Sequence, residues 1–430
     1  MTSARTAVDE TFRSLRVRNF RLFFTGQLIS QIGNWLTLVA QTLLVLKLTD
    51  SGIALGALAA AQFGPVLLLG PWAGLVADRS DKRRLLLIVQ TIAMAQSFTL
   101  AVLGFSHNPP VLAVYAVALV GGMTIAFDNP ARRAFVVEMV PPENMSNAVS
   151  LNSALMTSSR VVGPALAGLL VATVGFGWCF LLDGLSYLAV LAALWMMRTQ
   201  ELRPSKPTQR GKGQVRAGLR YARHTSVLWT PLVMMAVVGT LSYNFQTVFP
   251  LFTTRDLHGN GTTFTILFSV VSAGALVGAL GVARRKTISV RDVAVAAIWY
   301  GVALAAMAFA PNQAVAYALG PLLGITSIAF LTASTAIVQI EAAPDMRGRV
   351  LALQAVLFLG STPIGGPIVG WVSQAFGARY GVGLGAVAAL AAGAWGWLRA
   401  RRLAEKPLIP DEDVEATATE VVSALTSAEP

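Results

Sequence analysis

Apolar residues run through this chain in stretches of about twenty or more, separated by short clusters of charge, without the alternation of a half-buried strand. A bilayer's hydrocarbon core needs roughly 20 apolar residues per helix, whereas a spanning β-strand would alternate over about ten. The pattern predicts twelve membrane-spanning helices. They fall at 20–47, 52–77, 83–106, 109–130, 147–174 and 177–197, then at 229–253, 262–283, 292–310, 313–340, 350–375 and 378–399. A polar stretch separates the two sets of six. The expected fold is an all-α membrane protein of two pseudo-symmetric six-helix bundles. The expected division is an N-terminal segment at 1–19, a first bundle at 20–197, a linker at 198–228, a second bundle at 229–400 and a tail at 401–430.

Composition agrees: 55% hydrophobic residues and 13% charged ones, with a mean hydropathy of +0.62, are wrong for soluble domains. A net charge of +12 would in a soluble protein suggest nucleic acid, but its placement excludes that reading. All but four of the 33 Lys and Arg residues fall on one side of the predicted spans, the exceptions being Lys47, Arg255, Arg379 and the intrahelical Arg160. Positive charge is retained on the cytoplasmic side, so both termini and the linker are expected there, in a bacterial-type inner membrane. No cleavable signal peptide is indicated in the polar, basic start.

The linker turns helix-like from about Gln214, with Arg216, Arg220 and Arg223, and is expected to lie along the inner membrane surface against lipid headgroups. The tail from Pro407 carries Asp411, Glu412, Asp413, Glu415, Glu420 and Glu429 and no Lys or Arg, the composition of a disordered, solvated end. Cys179 is the lone cysteine, and His107, His224 and His258 stand apart from one another, so no metal site or disulfide is expected. No GxxxxGK[ST] loop is present, which disfavours ATP-driven transport by this chain alone. No cofactor is expected, and an integral-membrane enzyme is disfavoured because no cluster of His or acids appears near one face.

Two internal echoes support related halves: "GPALAGLL" from Gly163 against "GPIVGWV" from Gly366, and "GLVADRSDKRR" against "GVARRKTISVRD". Each pair is offset by six helices, the construction of secondary transporters whose site lies near the midplane between repeats. Pro164 and Pro367 each remove a backbone donor within a span, and their glycines allow close helix approach.

Few charges lie inside the predicted helices, where each costs on the order of 3 kcal/mol or more unless paired or wetted. Arg160, deep in the fifth span, is a candidate for substrate contact or proton coupling, or else forms an interhelical structural pair. Asp183 in the sixth is a candidate proton site and a candidate partner for Arg160, or else a helix-contact residue. In the first span Gln27, Ser30, Gln31 and Asn34 keep a spacing of three and four, so they share a face, with Trp35 beside it. Tyr243, Asn244, Phe245 and Gln246 form a comparable patch in the seventh. Both patches are read as lining a cavity for amphipathic ligands or as core.

Longer stretches carry a family resemblance. "GLVADRSDKRRLL" matches the signature loop of the major facilitator superfamily at Gly74, Asp78, Arg79, Lys82 and Arg83, with Asp81 in place of the usual second glycine. The stretch from Asp128 to Leu188, Phe249 to Leu280 and "APDMRGRVLAL" from Ala343 resemble the superfamily's macrolide-efflux and enterobactin-exporter branch. The resemblance implies a monomeric exporter of drugs, macrolide-like compounds or siderophores with the proton as coupling ion. A lipid flippase or an importer is the alternative within the fold. It implies a conformational latch of Asp128 with Lys82 or Arg83, similar service by Glu341 with Arg347 and Arg349, and an antiporter motif at Gly163 and Pro164. Relatives often carry an acid where Asn34 stands, and Asn34 cannot titrate.

Overall fold

The computed structural model describes residues 11–203, 214–282 and 288–404; the acidic tail from Pro407, and so its expected disorder, lies outside them. Among the described residues all regular structure is helical. The first half comprises α1 (Arg18–Thr49), α2 (Gly52–Arg79), α3 (Lys82–Phe105), α4 (Val111–Met139), α5 (Met145–Thr173) and α6 (Phe176–Trp195). After α7 (Gln214–His224) in the linker, the second half comprises α8 (Ser226–Leu241), α9 (Phe245–Leu251), α10 (Gly261–Val282), α11 (Val290–Ala308), α12 (Gln313–Glu341), α13 (Pro344–Leu359), α14 (Thr362–Phe376) and α15 (Ala378–Ala404). Twelve helical runs are long and apolar enough to cross a membrane, with α8 continuing through α9 and a π-helical turn, and α13 through α14, as single runs. Large apolar side chains such as Leu68, Leu112, Trp195 and Phe309 point outward. That surface suits lipid and would be a liability in water.

Local chemistry sets the helix ends. Ser51, Asp81 and Asn312 each accept a backbone N–H as N-caps of α2, α3 and α12, and Ser289 with Asp292 forms a capping box on α11. The fourth span is longer than its apolar stretch predicts, running through Pro130 to Met139. Proline inside a helix ordinarily breaks it; here Asp128 and Arg132 pair one turn apart within the helix, and Phe135 stacks edge-on against Phe23 of α1 at 5.7 Å. Likewise α13 begins at Pro344, ahead of the predicted 350, with proline in the first turn.

Two predicted continuous spans are broken. Between α8 and α9, Ser242 Oγ donates to the Gly385 carbonyl at 2.7 Å, Tyr300 Oη donates to the Ser242 carbonyl at 2.8 Å, and Asn244 Nδ2 donates to the Thr240 carbonyl at 2.6 Å. Polar backbone freed at membrane depth must be satisfied by protein, and here it is. The second break is at Gly360 and Ser361, between α13 and α14. The six-helix offset reappears in the packing: α1 on α6, α2 on α4 and α3 on α6 in the first half, against α8 on α15, α10 on α12 and α11 on α15 in the second.

The halves meet through α2 on α14 and α5 on α10, a pair the same pseudo-symmetry exchanges. Their closest approach lies at the end away from the basic clusters. A methyl group on Gly370 would sit 2.2 Å from the Gly52 carbonyl oxygen, and one on Gly56 2.7 Å from Pro367 Cα, so the two backbones touch. Gln374 Oε1 accepts from the Gly52 N–H at 2.9 Å, and Arg255 ion-pairs with Asp50 at 3.4 Å. Toward the basic end, a methyl group on Gly64 or Gly70 of α2 or Gly348 of α13 would meet nothing within 4 Å. The halves touch at one end through α2 and α14, and the open space in front of these three glycines lies toward the other. Helix α7 rests on α13, where Gly218 lies against Arg349 and Tyr221 Oη accepts from the Ala343 N–H at 3.1 Å.

Candidate functional site

At the junction of the halves, Arg160 of α5 meets the second half's aromatic wall. Its guanidinium lies 5.8 Å from the Trp35 ring centroid, and it shares a small cavity with Tyr243, Phe245, Phe268, Ser272 and Ser327. Trp35 is held from two sides. Its ring stands 5.9 Å from Phe268 of α10, and on the other side Gly163 is so close that a methyl there would fall 2.2 Å from Trp35 Cβ. The sequence puts glycine where α1 must press on α5. Tyr243 Oη donates to the Ser327 carbonyl, and its ring packs on Tyr300 at 5.1 Å and Phe358 at 5.0 Å. The break before α9 turns Tyr243 toward this junction. No carboxylate of the described residues pairs with Arg160, so the chamber offers a cation without its own anion. Its volume is about 20 Å³, room for about one water, so a drug-sized ligand requires the halves or side chains to part.

Asp183 does not join Arg160, correcting that expected pairing. It lies 1% exposed inside the first half, between α1, α3 and α6, because hydroxyls on those helices converge on it. Thr37 Oγ1 donates to Oδ2 at 2.6 Å and Ser97 Oγ at 2.7 Å, while Ser186 Oγ lies 3.4 Å from Oδ1. Gly33 of α1 faces the carboxylate, and a methyl there would sit 2.5 Å from Oδ1. All three partners are neutral, and a hydroxyl can donate or accept, so the same shell serves the carboxylate and the carboxylic acid. Thr37 and Ser97 stand 146 and 86 residues from Asp183 in the chain, and no sequence signal joined them to it.

The expected cavity stripe on α1 is only partly assembled. Asn34 accepts from Tyr187 Oη of α6 at 2.8 Å and donates to the Ser30 carbonyl, so it fastens two helices of the first half. Gln27 is buried with both amide atoms lacking a hydrogen-bond partner, and Gln31 is half-buried. Gln41 bridges the Val114 carbonyl of α4 and Gln62 of α2. In the second half Asn244 closes its own helix break, and Gln246 is half-buried. Of the residues expected to line the cavity, Trp35, Arg160, Tyr243 and Phe245 come together; Phe268, Ser272 and Ser327, which sequence reasoning did not single out, join them.

The pattern of the transmembrane secretion effector family, a branch of the major facilitator superfamily, matches residues 9–423. The chain belongs to that family. Among curated relatives of this secretion effector, the staphyloferrin A transporter of Staphylococcus aureus is 24% identical, the match covering 83% of this chain and 90% of the relative. Macrolide efflux protein A of Streptococcus pyogenes is 22% identical over 80% of this chain and 87% of its own, and the multidrug efflux pump Tap of Mycobacterium tuberculosis is 25% identical over 83% and 87%. A solved bacterial homologue of the human lysosomal transporter Spinster superposes with a TM-score of 0.71 at 16% identity, covering 91% of this chain and 98% of its own, a likeness of fold. The secretion effector is thus a multi-pass membrane transporter of small molecules, not an enzyme.

The signature loop of this secretion effector works within the first half. Lys82 Nζ pairs with Glu138 at the end of α4 at 2.8 Å, both side chains at most 7% exposed, and Arg83 Nε donates to the Leu194 carbonyl at the end of α6 at 2.7 Å. Gly74 and Asp78 occupy the last turns of α2, and Arg79 is exposed. Asp81, standing at the usual glycine, has φ −61° and caps α3, so no left-handed conformation is required there and aspartate fits. The latch expected between Asp128 and Lys82 or Arg83 is not formed: Asp128 pairs with Arg132 and accepts from Gln90 Nε2 at 2.7 Å. Arg347 donates to the Ala342 carbonyl at 3.4 Å, Arg349 lies beside Met346 Sδ at 3.3 Å, and neither pairs with the exposed Glu341. Helix α5 continues through Pro164 and α14 through Pro367, with Gly366 at the seal between the halves.

Proposed function

We propose that this transporter exports amphipathic small molecules, drugs, macrolide-like compounds or siderophores, by alternating access coupled to proton entry. The observation that carries the reading is the Arg160 guanidinium, set among Trp35, Tyr243, Phe245 and Phe268 at the junction of the halves with no carboxylate of the described residues paired to it. Aromatic faces bind the apolar body of such a ligand and the fixed cation takes its oxygen-rich or anionic end. The names of the relatives, a siderophore transporter, a macrolide efflux protein and a multidrug efflux pump, support the same substrate range.

In this reading the basic end faces the cytoplasm, with both termini there, and the membrane is a bacterial inner membrane. A conformation open toward that end receives substrate from the cytosol or inner leaflet. Rocking the halves opens the Gly52–Gly370 seal and closes α2 on α13 near the signature loop. Asp183 carries the proton, taken up when the far side opens and released when the near side does, and α1 transmits its state to Trp35. One chain holds the whole chamber, so the working unit is a monomer.

Inside-out vesicles containing the protein and a fluorescent amphipathic dye test the reading. Uptake driven by an acid-inside gradient and abolished by a protonophore is expected. Dye loss from the vesicles, or movement of labelled lipid in place of dye, would replace it with an importer or a flippase.

A further inference from the structure

A second cavity, of about 550 Å³, opens at the basic end of the second half between α8, α11, α12 and α15. All its described lining belongs to the second half, away from the junction where Arg160 lies. Its counterpart in the first half is closed, and the comparison shows what is missing.

Asp81 and Ser289 are the N-caps of α3 and α11, and Arg83 and Arg291 are each the second residue of their helices. Glu138 and Glu341 close α4 and α12. In the first half Lys82 pairs with Glu138 and Arg83 reaches the Leu194 carbonyl, so that corner satisfies its own charges. In the second half Val290 stands where Lys82 stands, and Glu341 has lost its cation. Arg291 lies over the Trp397 ring at 4.5 Å and Arg401 over the same ring at 5.5 Å. Among the described residues, none of Arg291, Arg401 and Glu341 makes an ion pair. Among the described residues, two cations and one anion therefore border an open space whose walls, Val227, Ile288, Ile337 and Trp397, are apolar.

From this asymmetry we infer that the corner binds the headgroup of a phosphatidylethanolamine lipid. Guanidinium groups take the phosphate oxygens, Glu341 takes the ammonium, and the acyl chains continue along the apolar wall into the bilayer. The cavity volume is in the range of a small-ligand site, and basic pockets between helices with a tryptophan at the interface suit lipid headgroups. A purely anionic headgroup satisfies the arginines and leaves Glu341 facing like charge. Assignment to the cytoplasmic leaflet rests on the orientation proposed above; the headgroup chemistry does not.

Native mass spectrometry of the full chain tests this, with dioleoyl phosphatidylethanolamine, dioleoyl phosphatidylglycerol or water-soluble glycerophosphoethanolamine added to the detergent-solubilised protein. The native chain is expected to hold phosphatidylethanolamine at least about tenfold more tightly than the double variant Arg291→Gln, Arg401→Gln. Glu341→Gln should weaken phosphatidylethanolamine and leave phosphatidylglycerol unchanged. Ala400→Trp, which fills the space and keeps every charge, should also expel the lipid; size-exclusion profiles matching the native chain show that the variants are folded. Equal retention by the double arginine variant overturns the site. Phosphatidylglycerol bound as tightly as phosphatidylethanolamine overturns the role of Glu341, and glycerophosphoethanolamine bound as tightly as the lipid makes this a soluble-phosphate site and overturns the lipid assignment. Because the readout is lipid retention, a failure of the export proposal leaves it unaffected.

Discussion

Asp183 and Arg160 stand in neighbouring helices but in different surroundings. A carboxylate surrounded by Thr37, Ser97 and Ser186 can change its protonation without losing hydrogen bonds, and a guanidinium over Trp35 with no internal anion is poised for an external one. Asp183→Asn is isosteric and keeps the hydroxyl shell. It should abolish substrate-induced proton release from the solubilised protein and lower uphill export at least about tenfold while dye still binds. Arg160→Gln should weaken substrate binding about tenfold or more, near 1.4 kcal/mol, and Arg160→Lys should recover part of it, both read by dye fluorescence titration. That both residues lie within membrane spans was legible at this scale; which residues they touch was not. The partners of Asp183 are small hydroxyl residues, each unremarkable in its own helix, and only folding brings them to one carboxylate.

At the level of helices, stretches of about 20 apolar residues identified all twelve spans, because lipid imposes a length on any helix that crosses it. It located the ends poorly where the helix outruns the membrane. Arg132 and Glu138 lie beyond the predicted end at 130, yet Arg132 pairs with Asp128 within α4 and Glu138 with Lys82 of α3. The breaks at Ser242 to Asn244 and at Gly360 were invisible for a related reason: hydropathy averaged over a whole span does not register two or three residues that leave the helix. The Lys82–Glu138 pair fastens α3 to α4, with both side chains at most 7% exposed. Lys82→Ala removes the cation paired with a buried carboxylate and should lower stability by on the order of 3 kcal/mol. Thermal unfolding in detergent reads the difference.

For the molecule as a whole, the two halves are joined at the seal, and the magnitudes say which contacts hold it. Asp50 is 76% exposed in its side chain, and an exposed ion pair is worth about 0–1 kcal/mol, so Arg255→Ala should leave export within about twofold. Gly370 touches the Gly52 backbone; Gly370→Val forces the helices apart and should lower export more than about tenfold. Labelling of a cysteine introduced at Ser51 by an impermeant maleimide in intact cells should rise in the valine variant and not in the alanine one. The paired Gly-Pro echoes marked both halves in the sequence, but that one of them forms the seal and the other seats Trp35 was decided by neighbours in space.

The uninterrupted α1 and α5 have counterparts that are each split in two, at Ser242 to Asn244 and at Gly360 with Ser361. A split rod can bend where a whole one can only tilt, so the second half is expected to flex at two elbows while the first moves as a stiff lever. Amide hydrogens at the elbows should exchange with solvent sooner than those around Gly33 and Gly163, and substrate should slow the first group more than the second.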